Sequence, residues 1–150
     1  MADSSPKHNR RQLIIVALVT AAVTALAMVG IGGGRGHSLA TGFLSRGDCE
    51  IAYVCDVNRG LHEPRAKDYA ARQGGKVPKC LTDFREMLGD ESIDAVAIAT
   101  PPHWHALATI LCCRVGKDVY CEKPQSHNCW EGRQAVNAAR KHDRVVQIGT

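Results

Sequence analysis

The segment from Leu26 to His37, Leu-Ala-Met-Val-Gly-Ile-Gly-Gly-Gly-Arg-Gly-His, narrows the possible folds more than any other part of the chain. An apolar run feeds straight into a glycine-rich turn, and the spacing beyond it predicts a helix over 38–46. Strand, glycine turn and helix in that succession make an anion cradle. Glycine permits the tight turn and lets backbone approach a pyrophosphate, while the exposed N–H groups at the helix start hold its charge. Gly30 and Gly32 open the motif and Gly33 and Gly34 extend it. Position 35, where a strict G-x-G-x-x-G needs its third glycine, holds Arg35, and Gly36 comes one place later. A merely flexible turn has the same composition, so the loop by itself does not decide between the two.

Glu50-Ile-Ala-Tyr-Val-Cys-Asp56 reads as a second strand ending in a carboxylate. Asp56 lies 26 positions past Gly30, against the roughly 20 expected for the acid that accepts hydrogen bonds from an adenosine ribose. An Asp opening the turn Val57-Asn-Arg-Gly60 would look the same locally. Loop and acid in register with two strands favour dinucleotide binding.

The remaining pattern alternates. A surface helix is predicted over 63–73 with Pro64 in its first turn, where a missing N–H costs nothing, and Gly74-Gly75 stop it. Val77-Pro-Lys-Cys80 is a short extended piece whose proline suits a sheet edge. Thr82 is expected to cap a short helix over 82–88. Ile93–Ala99 forms a buried fourth strand, followed by a helix whose inward stripe is expected to be Trp104, Leu107, Ala108, Leu111, Cys112 and Val115. Asp118–Cys121 is strand five, Asn128 with Glu131 caps a helix to Lys141, and Arg144–Ile148 is strand six. Alternating strands and helices predict an α/β domain, a doubly wound parallel sheet of the Rossmann dinucleotide-binding type with strand order 3-2-1-4-5-6.

The 150 residues suffice for one domain, and a net charge of +4 with scattered Lys and Arg gives nucleic-acid binding little support. Seven cysteines form no C-x-x-C pair and lie mostly in apolar patterns, as small buried side chains rather than a disulfide framework or a metal site. That usage leans towards a reducing compartment. The leader argues otherwise: Asn9-Arg-Arg-Gln-Leu-Ile14 resembles a twin-arginine export signal, and no charge occurs from Gln12 to Gly34. Residues 13–25 are too short for a span of about 20 residues but fit a signal-peptide apolar region of roughly 7–15. Export or membrane tethering through residues 1–25 is expected, with cleavage at Val23-Thr-Ala25 or Ala25-Leu-Ala27. The dinucleotide-binding domain then covers 26–150. One long buried strand with a ragged lead-in is the alternative.

In such a sheet, ligands bind beyond the carboxyl ends of the strands. Those ends carry the glycine loop, Asp56, Thr100-Pro-Pro-His-Trp-His105, Glu122-Lys-Pro124 and Gly149-Thr150. Lys123 is the candidate for chemistry, because an ammonium beside a nicotinamide can hydrogen-bond a substrate hydroxyl and handle its proton. A solvated lysine paired with Glu122 is the plainer alternative. His103 and His105, two apart, face different directions, so a cap or a ribose contact suits one of them better than shared metal ligation. Trp104 suits the core, and His127 an ordinary loop.

Taken together these stretches resemble the Gfo/Idh/MocA oxidoreductases, the glucose–fructose oxidoreductase and inositol dehydrogenase family. The likeness rests on Gly30–Gly36, Cys55-Asp-Val57, Ala99–His105, Glu122-Lys-Pro124, Trp130–Gln134 and Val145–Thr150, and covers about Leu26 to Thr150. The leader also looks like that of exported members. The resemblance implies NAD or NADP bound by Gly30, Gly32, Gly33, Gly34, Arg35, Gly36 and Asp56, with Thr100, Pro101 and His105 lining it. It implies that Glu122 and Lys123 stand at the nicotinamide end, Lys123 acting on the substrate, with a cis Lys123–Pro124 bond. The substrate implied is a sugar or polyol, oxidised by hydride transfer, in an enzyme that is a homo-oligomer. Family members continue into a second α/β domain with the substrate pocket, which this sequence lacks, so the chain alone is expected to bind dinucleotide and turn over little. The alternatives are an NAD-dependent glycoside hydrolase of the same family and a truncated, non-catalytic binding module. Asp56 favours NAD and Arg59 would receive the extra phosphate of NADP, which leaves that choice open.

Overall fold

A computed structural model of the chain describes residues 23–149. In chain order it comprises β1 Thr24–Val29, α1 Gly34–Leu44, β2 Cys49–Cys55, α2 His62–Arg72, β3 Lys79–Leu81, β4 Ala95–Ile98, α3 His105–Arg114, β5 Asp118–Cys121, α4 Cys129–Lys141 and β6 Val146–Ile148. All neighbouring strands run parallel, in the order β3-β2-β1-β4-β5-β6. This is the doubly wound Rossmann arrangement that the alternation predicts.

The central strands β1 and β4 are apolar on both sides because helices cover both. On one face Met28, Ile51, Val54 and Ala97 meet Ala40 and Leu44 of α1 and Tyr69 of α2. On the other, Ala27, Val29, Val96, Ile98, Val119 and Cys121 meet Ala108, Cys112 and Cys113 of α3 and Ala138 of α4. Lys117, a buried cation, donates from Nζ to the carbonyls of Asp90 and Ile93, tying the start of β5 to the lead-in of β4.

The sequence and the structure differ at several points. β1 begins at Thr24 rather than Leu26, since Thr24 donates to Asp48 O and Ala25 to Asp94 Oδ2. Either expected cleavage site would therefore cut into a paired strand. Apart from residues 23–25, the leader lies outside the described residues. Among the described residues no helix is long and apolar enough to cross a membrane.

α1 starts at Gly34, not Ser38, because the last loop glycines already belong to its first turn. The helix predicted over 82–88 is a 3-10 turn, Phe84–Met87, capped by Asp83 rather than Thr82. So short a stretch before Gly89 cannot repay helix nucleation.

On α3 the buried residues are His105, Ala106, Ala108, Thr109, Cys112 and Cys113. Trp104 is 44% exposed and Leu107 47%, contrary to the predicted stripe. The helix is apolar almost all round, so hydrophobicity does not mark its inner face. Its small Ala, Thr and Cys side chains are the ones that let it lie against the sheet.

Candidate functional site

Because every strand is parallel, their carboxyl ends share one edge, and the side chains that carry chemistry collect there. The loop after β1 is shaped by what its glycines lack. Gly30 has φ +85°, and a Cβ on it would sit 2.6 Å from Thr100 N. A Cβ on Gly36 would lie 2.0 Å from the Gly30 carbonyl oxygen. Gly36 is therefore the glycine that lets helix and strand touch, and the motif runs G-x-G-x-x-x-G with Arg35 inside α1. A Cβ on Gly32 would come 3.0 Å from Asp56 Oδ2, whereas one on Gly33 would find nothing nearer than 3.9 Å and one on Gly34 nothing within 4 Å. The tip is open space facing the N-terminus of α1. That end has no side-chain cap and no acid in its first turn, so its N–H groups and dipole suit an anion.

Asp56, just past β2, faces this loop. Its Oδ2 accepts the Gly32 N–H at 2.7 Å and its Oδ1 accepts the Asn58 N–H at 2.9 Å. A carboxylate offers about four lone-pair positions, so two backbone bonds fix it and still leave acceptors for a diol. The loop after β4 brings Thr100 against Gly30. The Thr100 hydroxyl is buried with no hydrogen-bond partner among the described residues, a polar atom that the protein alone does not satisfy. Pro101 is exposed beside it.

The end of β5 supplies the other wall. Glu122 is buried, its side chain 5% exposed, and its Oε1 accepts the Arg35 Nε–H at 2.7 Å. That hydrogen bond, with the charge behind it, holds the Arg35 guanidinium above its ordinary pKa. The partner of Glu122 is thus Arg35, in the first turn of α1, and not its neighbour Lys123. Lys123 is exposed and makes no ion pair among the described residues, and the Lys123–Pro124 peptide bond is cis. His105 is buried between the two loops, Nε2 lying 2.7 Å from Thr100 O and Nδ1 2.6 Å from Pro124 O. Each ring nitrogen faces a backbone carbonyl, and a neutral imidazole donates its single N–H to one of them, so this side chain stands between the β4 loop and the peptide after Lys123. His103 and His127 are exposed.

Among the described residues no three His, Cys, Asp or Glu side chains converge as a metal site. Of the buried cysteines, Cys112 has its thiol pushed up to about 12 by burial, and Cys113 and Cys121 are pushed to about 11, far from nucleophilic thiolates.

The open tip, the buried Thr100 hydroxyl and the braced Asp56 together fit a dinucleotide: diphosphate at the N-terminus of α1, ribose at Asp56. The family model described as "Oxidoreductase family, NAD-binding Rossmann fold" matches residues 24–150. The chain belongs to the Gfo/Idh/MocA oxidoreductase family. Relatives include a 1,5-anhydro-D-fructose reductase of Ensifer adhaerens, 36% identical over 86 residues, covering 57% of this chain and 25% of that protein. A glycosyl hydrolase family 109 protein of Shewanella baltica is 29% identical over 132 residues, covering 83% of this chain and 28% of that protein. Among solved structures, an NAD-binding protein from Listeria innocua superposes with a TM-score of 0.69 at 28% identity, over 85% of this chain and 34% of that one. The chain thus spans between a quarter and about a third of the length of these proteins.

The sequence pattern puts the glycine loop, Asp56, Thr100, Glu122 and Lys123 at one edge, and the structure brings them there together. It does not reveal the Arg35–Glu122 pair or the double engagement of His105, because neither partner set follows from spacing along the chain. The one signal is the order of the strands, which puts the ends of β1, β4 and β5 side by side.

Proposed function

We propose that the crevice binds NAD or NADP and that the chain is the cofactor-binding part of an enzyme moving hydride between a sugar or polyol hydroxyl and the nicotinamide. The observation that carries this is the juxtaposition of three groups on one sheet edge: a glycine cradle without side chains, Asp56 braced by Gly32, and exposed Lys123 beyond the β4 loop. When bound, the nicotinamide supplies the hydride-accepting carbon. The chain's own residues do the rest. The N–H groups of Gly33 to Arg35 and the Arg35 guanidinium hold the diphosphate, Asp56 accepts from the ribose hydroxyls, and Thr100 and Pro101 line the path towards Lys123. His105 fixes that path by joining its two loops. Lys123 Nζ hydrogen-bonds the substrate hydroxyl and takes up or returns its proton. The sugar or polyol class is supported by the reductase and hydrolase names of the relatives.

Titration of the purified chain with NADH and NADPH, followed by fluorescence, tests the binding half. Saturable binding of either supports it, and no binding to folded protein overturns it. Product analysis with a panel of sugars and polyols, using protein that includes the substrate-binding residues, tests the chemistry. Net NADH formation supports hydride transfer, whereas sugar release with no net change in cofactor replaces it with glycoside hydrolysis. The Asn9–Ile14 arginine pair and the uncharged run behind it support export or membrane tethering, to be checked by fractionating cells that express the chain with Arg10 and Arg11 intact or replaced by Lys.

A further inference from the structure

Arg35 and Glu122 lie 87 positions apart, on the β1 and β5 sides of the crevice, yet share a 2.7 Å hydrogen bond. Their situations differ. Glu122 is buried beside Tyr120, whose hydroxyl lies 3.5 Å from the same Oε1, and its backbone N–H donates to Ile98 O. Arg35 is 54% exposed on its side chain and stands in the first turn of α1, next to the open tip of the cradle. If Arg35 swung away, a buried carboxylate would lose its charge partner, which is strongly unfavourable. The pair therefore persists when an anion enters, and Glu122 fixes the direction from which the guanidinium meets it. Because Glu122 directly precedes Lys123, the same contact fixes the peptide that carries the lysine.

We propose that Glu122 is a positioning residue that acts through Arg35, so that occupation of the diphosphate cradle and placement of the Lys123 peptide are coupled. This rests on the cradle binding a dinucleotide. Charge-assisted hydrogen bonds of this kind are about twice as strong as neutral ones. Gly149 offers a way to disturb the contact without deleting it: a Cβ there would lie 2.9 Å from both Glu122 Oε1 and Tyr120 Oη.

The test is the affinity of the purified chain for NADH and for ADP-ribose, which lacks the nicotinamide, in wild type, R35A, E122Q, G149A and the R35A combinations, with thermal unfolding of each. R35A should weaken both ligands about tenfold, the scale of one charge-assisted hydrogen bond. E122Q, which keeps an acceptor but not the charge, and G149A should each weaken them by about threefold in a folded protein, and neither should add to R35A. Full additivity with R35A, or unchanged affinity in folded E122Q and G149A, overturns the coupling. Failure of the wild-type chain to bind either ligand overturns instead the dinucleotide reading beneath it, so the two failures are told apart.

Discussion

The two halves of the sheet make their contributions to the crevice by opposite means. Around β1 and β2 the site consists of backbone and absent side chains: Gly30, Gly32 and Gly36 leave room, and Asp56 is braced by two N–H groups. Around β4 and β5 it consists of side chains placed by buried polar contacts, His105 between two carbonyls and Glu122 on Arg35. In the first half Gly30 and Gly36 leave no space for a side chain, whereas the second half depends on side chains whose loss breaks a polar contact. Lys123, at the end of the second half, is bound by neither restriction.

Substitutions that add atoms to the first half should have the largest effect. G36V drives a side chain into the Gly30 carbonyl and is expected to cost about 3 kcal/mol, the upper range for overpacking; urea denaturation measures it, and a midpoint equal to wild type would break the comparison. In the second half, H105L removes the imidazole N–H that faces the part-buried carbonyls of Thr100 and Pro124. It should destabilise by about 1–3 kcal/mol, the cost of an unsatisfied buried polar group, while H105Q, which can still donate, should recover part of the loss. D56A is expected to leave the fold intact and reduce NADH affinity about tenfold, one charged hydrogen bond's worth. NADPH should lose less, because the carboxylate repels a 2′-phosphate. K123M should move neither the unfolding midpoint nor NADH affinity, as befits an exposed side chain outside any ion pair among the described residues, yet remove turnover wherever the substrate-binding residues are present.

The smallest effect concerns the thiols packed under α3 and β5. At neutral pH an alkylating reagent should label exposed Cys80 and Cys129 and spare Cys112, Cys113 and Cys121 until the chain unfolds. Burial raises these three thiols from 9.0 to about 11 or 12. The folded state thus keeps their protons longer than the unfolded one. The stability this represents is complete below the ordinary thiol range and is lost as pH rises through 11 to 12. An alkaline unfolding scan checks the sign: loss of structure should begin above pH 9 rather than below it.

The strand order was legible because alternating apolar runs and capped helices leave few topologies, and Asn128 with Glu131 marks the start of α4 as it would in any helix. Asp56 was legible because an acid ending the second strand has a fixed place relative to the first loop. The register of the glycines was not. Which of Arg35 and Gly36 touches β1 depends on where α1 starts, and four glycines with no side-chain cap leave that start unmarked. The inner face of α3 escapes periodicity for a different reason: Leu107 and Cys113 are both apolar yet lie on different faces of the helix, and hydrophobicity does not say which face meets the sheet. Partners such as Arg35 and Glu122 are brought together by tertiary structure alone.

The contact between Gly30 and Thr100 has a bearing on biosynthesis. One side of the cradle is closed by residues 99–100, reached only after β1 has paired with β4 across some seventy intervening positions. Pairings so remote in the chain are slow to form. A nascent polypeptide emerging from the ribosome therefore displays its glycine loop before that loop has a second wall. A dinucleotide held as proposed would need that finished pairing and would not template it.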